Sequence, residues 1–169
     1  MSRGFVKEED QEEIPIVPPR ADLPEGVINY VTQVGMQALL NEKKELINDL
    51  EHLDTTNENE RRIATNHINA KLQLLNQRIS TAKIIDLETQ PQDEIRFGAT
   101  ITLKIDAVKD VQKYQIVGVD EADISKGKIS FVSPIAKILT HKKVGDKAIL
   151  KLANAERVFE ILDIAYIKK

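Results

Sequence analysis

The 169-residue sequence contains no cysteine and no tryptophan. Without cysteine the chain has no disulfide framework, no thiol nucleophile and no cysteine-ligated zinc site. Aromatic residues make up only 4% of the sequence, and glycine occurs seven times. This composition argues against a base-stacking nucleic-acid surface and a β-sandwich, and it favours a chain with much exposed helix.

Long hydrophobic runs are also missing. No apolar stretch approaches the roughly 18–20 residues that a membrane-spanning helix needs. The charged segment from Met1 to Asp10 lacks the apolar core of a signal peptide. The net charge is -3, which argues against polyanion binding by bulk electrostatics. We therefore expect a cytoplasmic protein that is not held in a membrane.

The charge that is present is unevenly distributed. Residues 1–30 carry 3 basic and 7 acidic side chains, whereas residues 91–169 carry 14 basic and 11 acidic ones. The first 30 residues also hold an acidic cluster and four closely spaced prolines: Glu8, Glu9, Asp10, Glu12, Glu13, Pro15, Pro18, Pro19 and Pro24. Proline excludes a regular helix here and favours extended structure. We predict an acidic, proline-rich N-terminal arm over residues 1–30.

Residues 31–90 show a helical period. Two narrow apolar seams repeat with coiled-coil spacing, one through Met36, Leu39, Leu46, Leu50 and Leu53 and the other through Ala64, Ile68, Leu72, Leu75, Ile79 and Ala82. The pattern lapses over residues 52–60, where Thr55, Thr56 or Asn57 could cap a second helix. The spacing predicts an antiparallel helical hairpin with a polar tip and arms of about 21–25 residues, roughly 32–38 Å long.

Residues 91–169 change to a period of two. Five segments alternate in the manner of β-strands: 99–106, 113–117, 128–132, 148–152 and 157–166. Ser133 and Pro134 are typical of a helix N-cap and first turn, so a short helix is expected to about His141. The prediction is an α+β protein in which a coiled-coil hairpin precedes a small antiparallel-sheet domain.

The sequence contains no recognisable catalytic motif, and its three histidines are scattered. The hairpin tip instead gathers Asp54, Glu58 and Glu60, which could simply stabilise a helix N-terminus. Alternatively, these carboxylates could hold Mg²⁺ at a distance from the rest of the protein. A second candidate surface comprises two loops of the sheet domain, at Gly118–Asp123 and Ser133–Lys137, although ordinary turn chemistry would also explain them.

Several ordered motifs resemble one family. They are Phe97-Gly98-Ala99, Tyr114-Gln-Ile-Val-Gly118, Asp120-Glu-Ala-Asp123, Ile129-Ser130, Ser133-Pro-Ile-Ala136 and Val144-Gly-Asp146, with Tyr30-Val31-Thr32 before the first helix and Thr81–Asp86 after the second. Over about residues 27–169 the chain resembles the bacterial Gre (GreA/GreB) transcription elongation and transcript cleavage factors. The acidic arm is similar to extensions of GreB-like members, and the coiled coil is short for the family.

The resemblance implies an FKBP-like sheet domain that docks at the rim of the secondary channel of RNA polymerase. It implies polymerase contacts at Asp120, Glu121, Asp123, Ser133, Pro134 and Ile135. The acidic tip, with Asp54, Glu58 and Glu60, would help to hold Mg²⁺ in the polymerase active site. The factor would have no metal or cofactor of its own and would activate the polymerase's cleavage of backtracked RNA. Nascent RNA and DNA would be contacted only within the elongation complex.

Two other functions remain open. The family tip reads Gly-Asp-x-x-Glu-Asn followed by an acid and a tyrosine, whereas here only Glu58-Asn59 matches, with Thr55 in the aspartate position and no tyrosine after it. The short hairpin and altered tip would also suit a secondary-channel regulator that does not stimulate cleavage. The FKBP-like fold raises a remote alternative, a peptidyl-prolyl isomerase, whose pocket would have to be lined by Phe97, Tyr114, Phe131, Phe159 or Tyr166.

Overall fold

The helical hairpin is the first large element of the fold. The computed structural model describes residues 14–54, 56–106 and 111–167, so the acidic cluster at residues 8–13 and the candidate cap Thr55 lie outside the described residues. Helix α1 spans Gln33–Glu51 and helix α2 spans Glu58–Thr81. The short connection between them reverses the chain, and the two helices pack side by side, which confirms the predicted hairpin.

Polar side chains set the ends of both helices. The Oγ1 atom of Thr32 accepts a hydrogen bond from the backbone of Gly35 at 2.9 Å and caps α1. Helix α2 has 24 residues, but α1 has 19 and ends before Leu53, so it is shorter than predicted. The polar residues after Glu51 favour caps and turns over further helix, and this outweighs the heptad position of Leu53.

The apolar seam of the hairpin is closed mainly at its base. Leu39 and Leu75 are buried with Val31, and partly buried side chains pack against them at Met36, Leu46, Ile79 and Ala82. Ile68 continues the buried seam on α2, whereas Ile47 and Ile63, which lie outside the seam, are 37% and 46% exposed. Apolar burial therefore stabilises the base of the hairpin more than its outer half.

A two-residue parallel ladder joins the base of the hairpin. Strand β1 (Tyr30–Val31) precedes α1, strand β2 (Lys83–Ile84) follows α2, and the two strands pair in parallel. Backbone hydrogen bonds at 2.8 Å from Lys83 to Asn29 and at 3.0 Å from Ile85 to Val31 hold the ladder. The sequence did not predict it, because two residues are too few to show a period.

A five-stranded sheet follows, and its strands agree closely with the predicted segments. Their bounds are β3 Thr100–Ile105, β4 Val111–Val117, β5 Lys128–Ser130, β6 Lys147–Lys151 and β7 Glu156–Ala165, in the order β5-β4-β3-β7-β6. All neighbours are antiparallel except the pair β4 and β5, which is parallel. Strands β5 and β6 are therefore the two opposite edges of the sheet.

The inward side chains of the sheet form the main core. Fully buried residues alternate along the strands and include Ile101, Leu103, Ile116 and Ile161, with Phe159 almost as deep. The short helix α3 (Pro134–Leu139) adds Ala136 and Leu139 to this core. Ser133 caps α3 and Pro134 opens it, as predicted, although the helix ends two residues before His141.

A buried ion cluster ties the hairpin to the sheet domain. The Asp120 side chain, on the loop after β4, is 8% exposed and accepts a hydrogen bond from Arg20 Nε at 3.0 Å. Arg78 of α2 faces the second oxygen of the same carboxylate at 3.6 Å. Arg20 also donates two hydrogen bonds to Glu42 of α1, at 2.8 and 3.0 Å. Two arginines and two carboxylates balance in charge, so the cluster can be largely buried without a net charge.

A second carboxylate strengthens the same junction. Glu121 accepts a hydrogen bond from Thr32 Oγ1 at 2.5 Å and one from Lys128 Nζ at 3.2 Å, and its side chain is 8% exposed. A Cβ atom at position 35 would lie 2.7 Å from the Glu121 carboxylate, so Gly35 leaves space for this contact. The start of α1 is thus bound to the sheet domain through Thr32.

Aromatic rings add an apolar contact across the junction. Tyr30 of β1 lies 5.9 Å from the Phe97 ring and 5.7 Å from the Phe131 ring, between centroids. The Phe97 and Phe131 rings meet edge to face at 5.6 Å, a favourable geometry. A Cβ atom at position 118 would lie 2.5 Å from the Tyr30 carbonyl oxygen. Gly118 therefore allows the sheet to approach the hairpin base closely.

Tyr166 closes the end of the sheet with a buried hydroxyl. This hydroxyl donates to the Glu94 carbonyl at 2.5 Å and accepts from the Arg96 amide at 2.8 Å. Burial raises the pKa of Tyr166, because the ionised form would lose its hydration. The Tyr166 ring therefore packs in the core, and its hydroxyl forms two hydrogen bonds to the backbone.

We predict that Asp120→Asn destabilises the protein strongly, because Arg20 and Arg78 would lose the charge that balances them. The free energy of unfolding should fall by about 3 kcal/mol, measured by urea denaturation. Asp163, which is exposed on β7, offers the matched control Asp163→Asn. Equal midpoints for the two variants would contradict a stabilising ion cluster.

We predict that Tyr166→Phe lowers the free energy of unfolding by about 1–3 kcal/mol at neutral pH, because two buried polar groups lose their partner. The raised pKa of Tyr166 means that its stabilisation is complete below the unfolded value of about 10 and is lost as pH rises through the folded value. The variant should therefore show less loss of stability between neutral and alkaline pH. Parallel stability curves for both proteins would contradict this account.

Candidate functional site

The hairpin tip presents carboxylates to solvent. Asp54, Glu58 and Glu60 are all exposed. Asn57 caps α2 and accepts hydrogen bonds from the amides of Asn59 at 2.9 Å and Glu60 at 3.3 Å. Glu58 and Glu60 consequently lie in the first turn of α2, at the positive end of the helix dipole.

Among the residues that the structure describes, the tip carboxylates are not paired with other side chains of the protein. Within the described part of the chain, none of Asp54, Glu58 and Glu60 forms an ion pair or a side-chain hydrogen bond. The neighbouring Arg62 donates instead to the Asn59 side chain at 2.7 Å. The three acids are thus available to a cation or partner that approaches from outside.

The tip does not form a complete metal site by itself. Over residues 14–54, 56–106 and 111–167, no group of three or more His, Cys, Asp or Glu side chains is arranged to hold a metal ion. Mg²⁺ prefers six oxygen ligands and keeps several waters. A cation held at this tip would need further oxygen ligands from another molecule.

Two of the predicted polymerase contacts, Asp120 and Glu121, are engaged within the protein. Their side chains face the hairpin base and are each 8% exposed. The loop Gly118–Asp123 therefore uses these acids to join the hairpin to the sheet domain. A partner that approached this loop would meet little of either carboxylate.

The rest of that loop is more accessible. Asp123 caps the 3₁₀ turn Ile124–Lys126 and accepts hydrogen bonds from the Ser125 amide at 3.0 Å and the Ser125 hydroxyl at 2.6 Å. The hydroxyl contact, more than any other, lowers the pKa of Asp123. The same turn leaves the Ile124 side chain 82% exposed. Ile124 is thus an accessible apolar side chain at the end of this loop.

The second predicted loop combines structural and exposed positions. The Ser133 hydroxyl donates to the Ser130 carbonyl at 2.6 Å and accepts from the Ala136 amide at 3.3 Å. Ile135 packs against the sheet core. Pro134 is exposed at the start of α3. Of these three residues, Pro134 is the one most accessible to a partner.

Sequence reasoning did not predict the ion cluster of Arg20 and Arg78 or the exposure of Ile124. Arg20 and Asp120 are 100 positions apart in sequence, so no local period connects them. Ile124 carried a weak signal, because it is an isolated apolar residue between an acidic loop and Gly127. An apolar residue in a polar turn is a reasonable candidate for exposure.

The aromatic residues do not line a pocket of the isomerase kind. A cavity of about 510 Å³ lies between the hairpin base and the sheet domain, and the described residues that line it include Val34, Ile84, Leu87 and Ile167 but no Phe or Tyr. Phe159 and Tyr166 are buried in the core, whereas Phe97 and Phe131 pack on Tyr30. These rings have packing roles, and they give no support to the isomerase alternative.

The helices also bear on membrane association. Among the described residues, no helix combines the length and the apolar character that crossing a membrane requires.

Comparison with known proteins finds matches for the sheet domain. Residues 90–166 match the family model described as transcription elongation factor, GreA/GreB, C-term. The chain is 39% identical over 99 residues to the transcription elongation factor GreA of Pelobacter propionicus, and 40% identical over 100 residues to that of Halorhodospira halophila. Each alignment covers 59% of this chain and 63% of the relative. The chain thus spans less than two thirds of the length of these curated relatives.

Two solved structures were also matched. A GreA/GreB transcription elongation factor from Nitrosomonas europaea gives a TM-score of 0.41 at 15% identity, covering 81% of this chain and 98% of that chain. The GreA factor homolog Gfh1 of Thermus thermophilus gives 0.38 at 22% identity, covering 80% and 97%. The matched family segment encloses all five strands of the sheet. Residues 90–166 of this chain are therefore similar to the C-terminal domain of the GreA/GreB transcription elongation factors.

Proposed function

We propose that this chain is a transcription elongation factor that binds RNA polymerase and inserts its hairpin into the secondary channel. The observation that carries the proposal is the contrast between the two ends of the hairpin. At the base, Asp120 and Glu121 are buried in internal contacts, whereas at the tip Asp54, Glu58 and Glu60 are exposed and have no described partner. Acids left free at the end of a long element suit an external target.

The length of the hairpin supports action at a distance. Helix α2 has 24 residues, which corresponds to about 36 Å at 1.5 Å per residue. Its base is fixed to the sheet domain by the contacts of Asp120 with Arg78 and of Glu121 with Thr32, and by the packing of Tyr30 on Phe97 and Phe131. A docked sheet domain would therefore place the tip roughly one helix length away.

The proposed chemistry uses a cation that the polymerase supplies. Carboxylates at the tip would add oxygen ligands to an active-site Mg²⁺ and hold a water beside it. A bound metal ion makes such a water a better nucleophile towards a phosphodiester. In this role the protein is an activator of RNA cleavage by the polymerase and is not itself an enzyme. It would meet the RNA 3′ end and DNA only within the elongation complex.

A cleavage assay on stalled, backtracked complexes tests the tip. We expect Asp54→Ala, Glu58→Ala and Glu60→Ala each to reduce stimulated cleavage, by about 10–100-fold where a carboxylate orients the metal or its water. Glu45→Ala is the matched control, because Glu45 is exposed on α1 away from the tip. Equal cleavage by the tip variants and by Glu45→Ala would contradict the proposed role of the tip.

A second function deserves the same assay, namely occupation of the channel without stimulation of cleavage. Helix α1 has only 19 residues, about 28 Å, and Asp54 lies beyond its end in an irregular segment. Metal chemistry needs ligands placed to about half an ångström. Polymerase binding by the full chain, with no cleavage of backtracked RNA, would establish this second function and eliminate the first.

The sheet domain is proposed to dock through Asp123, Ser133, Pro134 and Ile135, and to use Ile124 as an apolar contact. Asp120 and Glu121 would contribute to polymerase binding chiefly by holding the hairpin in place. Accessibility supports this division, because Ile124 and Pro134 are the most exposed of these residues. All of them lie on or next to the β5 side of the sheet.

We predict that the double variant Ile124→Ser, Pro134→Ala weakens polymerase binding by about tenfold or more, because exposed apolar contacts often dominate an interface. Ile149→Ser is the matched control, since Ile149 is 50% exposed on β6, the opposite edge strand. Affinity measured with labelled full-length protein checks both variants. A larger loss for Ile149→Ser would place the docking surface on the other edge.

A further inference from the structure

The part of the N-terminal arm that the structure describes follows the hairpin. Pro15 and Val17 are half-buried, whereas Ile14 is 88% exposed and Ile16 is 92% exposed. This alternation is typical of an extended segment with one face against a surface. The prolines among residues 15–19 restrict the segment to extended conformations and lower the entropy lost on docking.

A hydrogen bond at one end and a shared groove at the other place this segment beside α2. At one end the Ala21 carbonyl accepts a hydrogen bond from Arg78 Nη2. At the other end Ile14, Pro15 and Ile16 line a groove of about 240 Å³ together with Arg62, Ile63, Asn66 and His67. From Arg78 to Arg62 the helix rises about 24 Å, and from Ala21 to Ile14 an extended chain covers about 22 Å. The arm therefore runs almost straight along α2 from the base towards the tip.

Arg20 joins three parts of the molecule at the base end of the arm. Its guanidinium forms a bidentate pair with Glu42 of α1, at 2.8 and 3.0 Å, and contacts Asp120 of the sheet domain at 3.0 Å. A planar guanidinium has the fixed fork that such a geometry needs. The hydrogen bonds with Glu42, together with the charge of Asp120, raise the pKa of Arg20 and outweigh the opposing effect of burial.

We propose that residues 14–21 form a strap that braces the hairpin, and that Arg20 is the positioning residue that fixes the direction in which the hairpin leaves the sheet domain. The largest buried cluster of the hairpin lies at its base, and Ile63, which lies outside the seam on the outer half of α2, is partly exposed. The strap lies beside Ile63 and adds contacts there. It runs beside the outer half of α2 and is anchored on the sheet domain through Asp120.

The inference does not depend on polymerase as the partner, because it is tested on the free protein. The chain has no cysteine, so each introduced cysteine is a unique site for attaching a spin label, and two of them define one distance. One pair, Glu51→Cys with Lys147→Cys, measures the distance between the hairpin and the sheet domain from two exposed sites. The second, Ile16→Cys with Lys147→Cys, reports arm against sheet. Double electron–electron resonance spectroscopy gives the distribution of distances between the two labels of each pair in the full chain.

We expect narrow distributions for both pairs in the otherwise unchanged chain and broader ones in Arg20→Ala. A released, flexible segment from Ile16 to Asn29 would have a root-mean-square end-to-end distance of about 20 Å. The distance distribution of the arm pair should therefore widen severalfold. Glu42→Gln removes one of the two anchors and should give an intermediate width. Arg61→Ala is the matched control, because Arg61 is exposed near the tip, and it should change neither width.

Two results would overturn the inference. The first is a broad arm distribution in the chain that retains Arg20, which would show that the segment is not docked. The second is an unchanged hairpin distribution in Arg20→Ala while the arm distribution widens, which would show that the strap does not position the hairpin. Should Arg20→Ala fail to fold, Arg20→Lys, which keeps the charge and loses the fork, gives the same comparison.

Discussion

The fold depends on one buried carboxylate. Asp120 accepts a hydrogen bond from Arg20 of the arm and faces Arg78 of the hairpin. A single side chain of the sheet domain therefore contacts both the arm and the hairpin. Glu42 balances the second positive charge, and the cluster is neutral overall. An ion cluster of this kind adds little net stability compared with an apolar contact, but its geometry is demanding. It therefore specifies one arrangement of arm, hairpin and sheet.

That arrangement separates acids with two different tasks. Asp120 and Glu121 are surrounded by arginine, lysine and hydroxyl donors, whereas Glu58 and Glu60, at the opposite end of the hairpin, are exposed and form no ion pair within the described part of the chain. Charges that are paired and buried hold domains together. Charges that remain solvated keep their full capacity to bind a cation or partner. Composition alone could not distinguish these two groups of carboxylates.

Local patterns in the sequence predicted the elements well. Heptad spacing predicted the hairpin, alternation predicted the five strands, and the Ser133–Pro134 pair predicted the start of α3, because each signal depends on neighbouring residues. The end of α1 and the β1–β2 ladder were missed, since capping outweighs a heptad position and two residues show no period. The ion cluster was missed for a stronger reason, because its members come from residues 20, 42, 78 and 120 and meet only after folding.

The same limit explains how the candidate site differs from expectation. The acidic loop after β4 matched a family motif, and its carboxylates were natural candidates for contact with a partner. Folding turns two of them towards the hairpin base, and what the loop then offers outside is Ile124, which is 82% exposed. Apolar contacts at the centre of an interface carry much of its binding energy, whereas acids at a rim mainly steer association. In the docking that we propose, the loop would serve both purposes at once: its buried acids would orient the hairpin, and its exposed apolar turn would contact the partner.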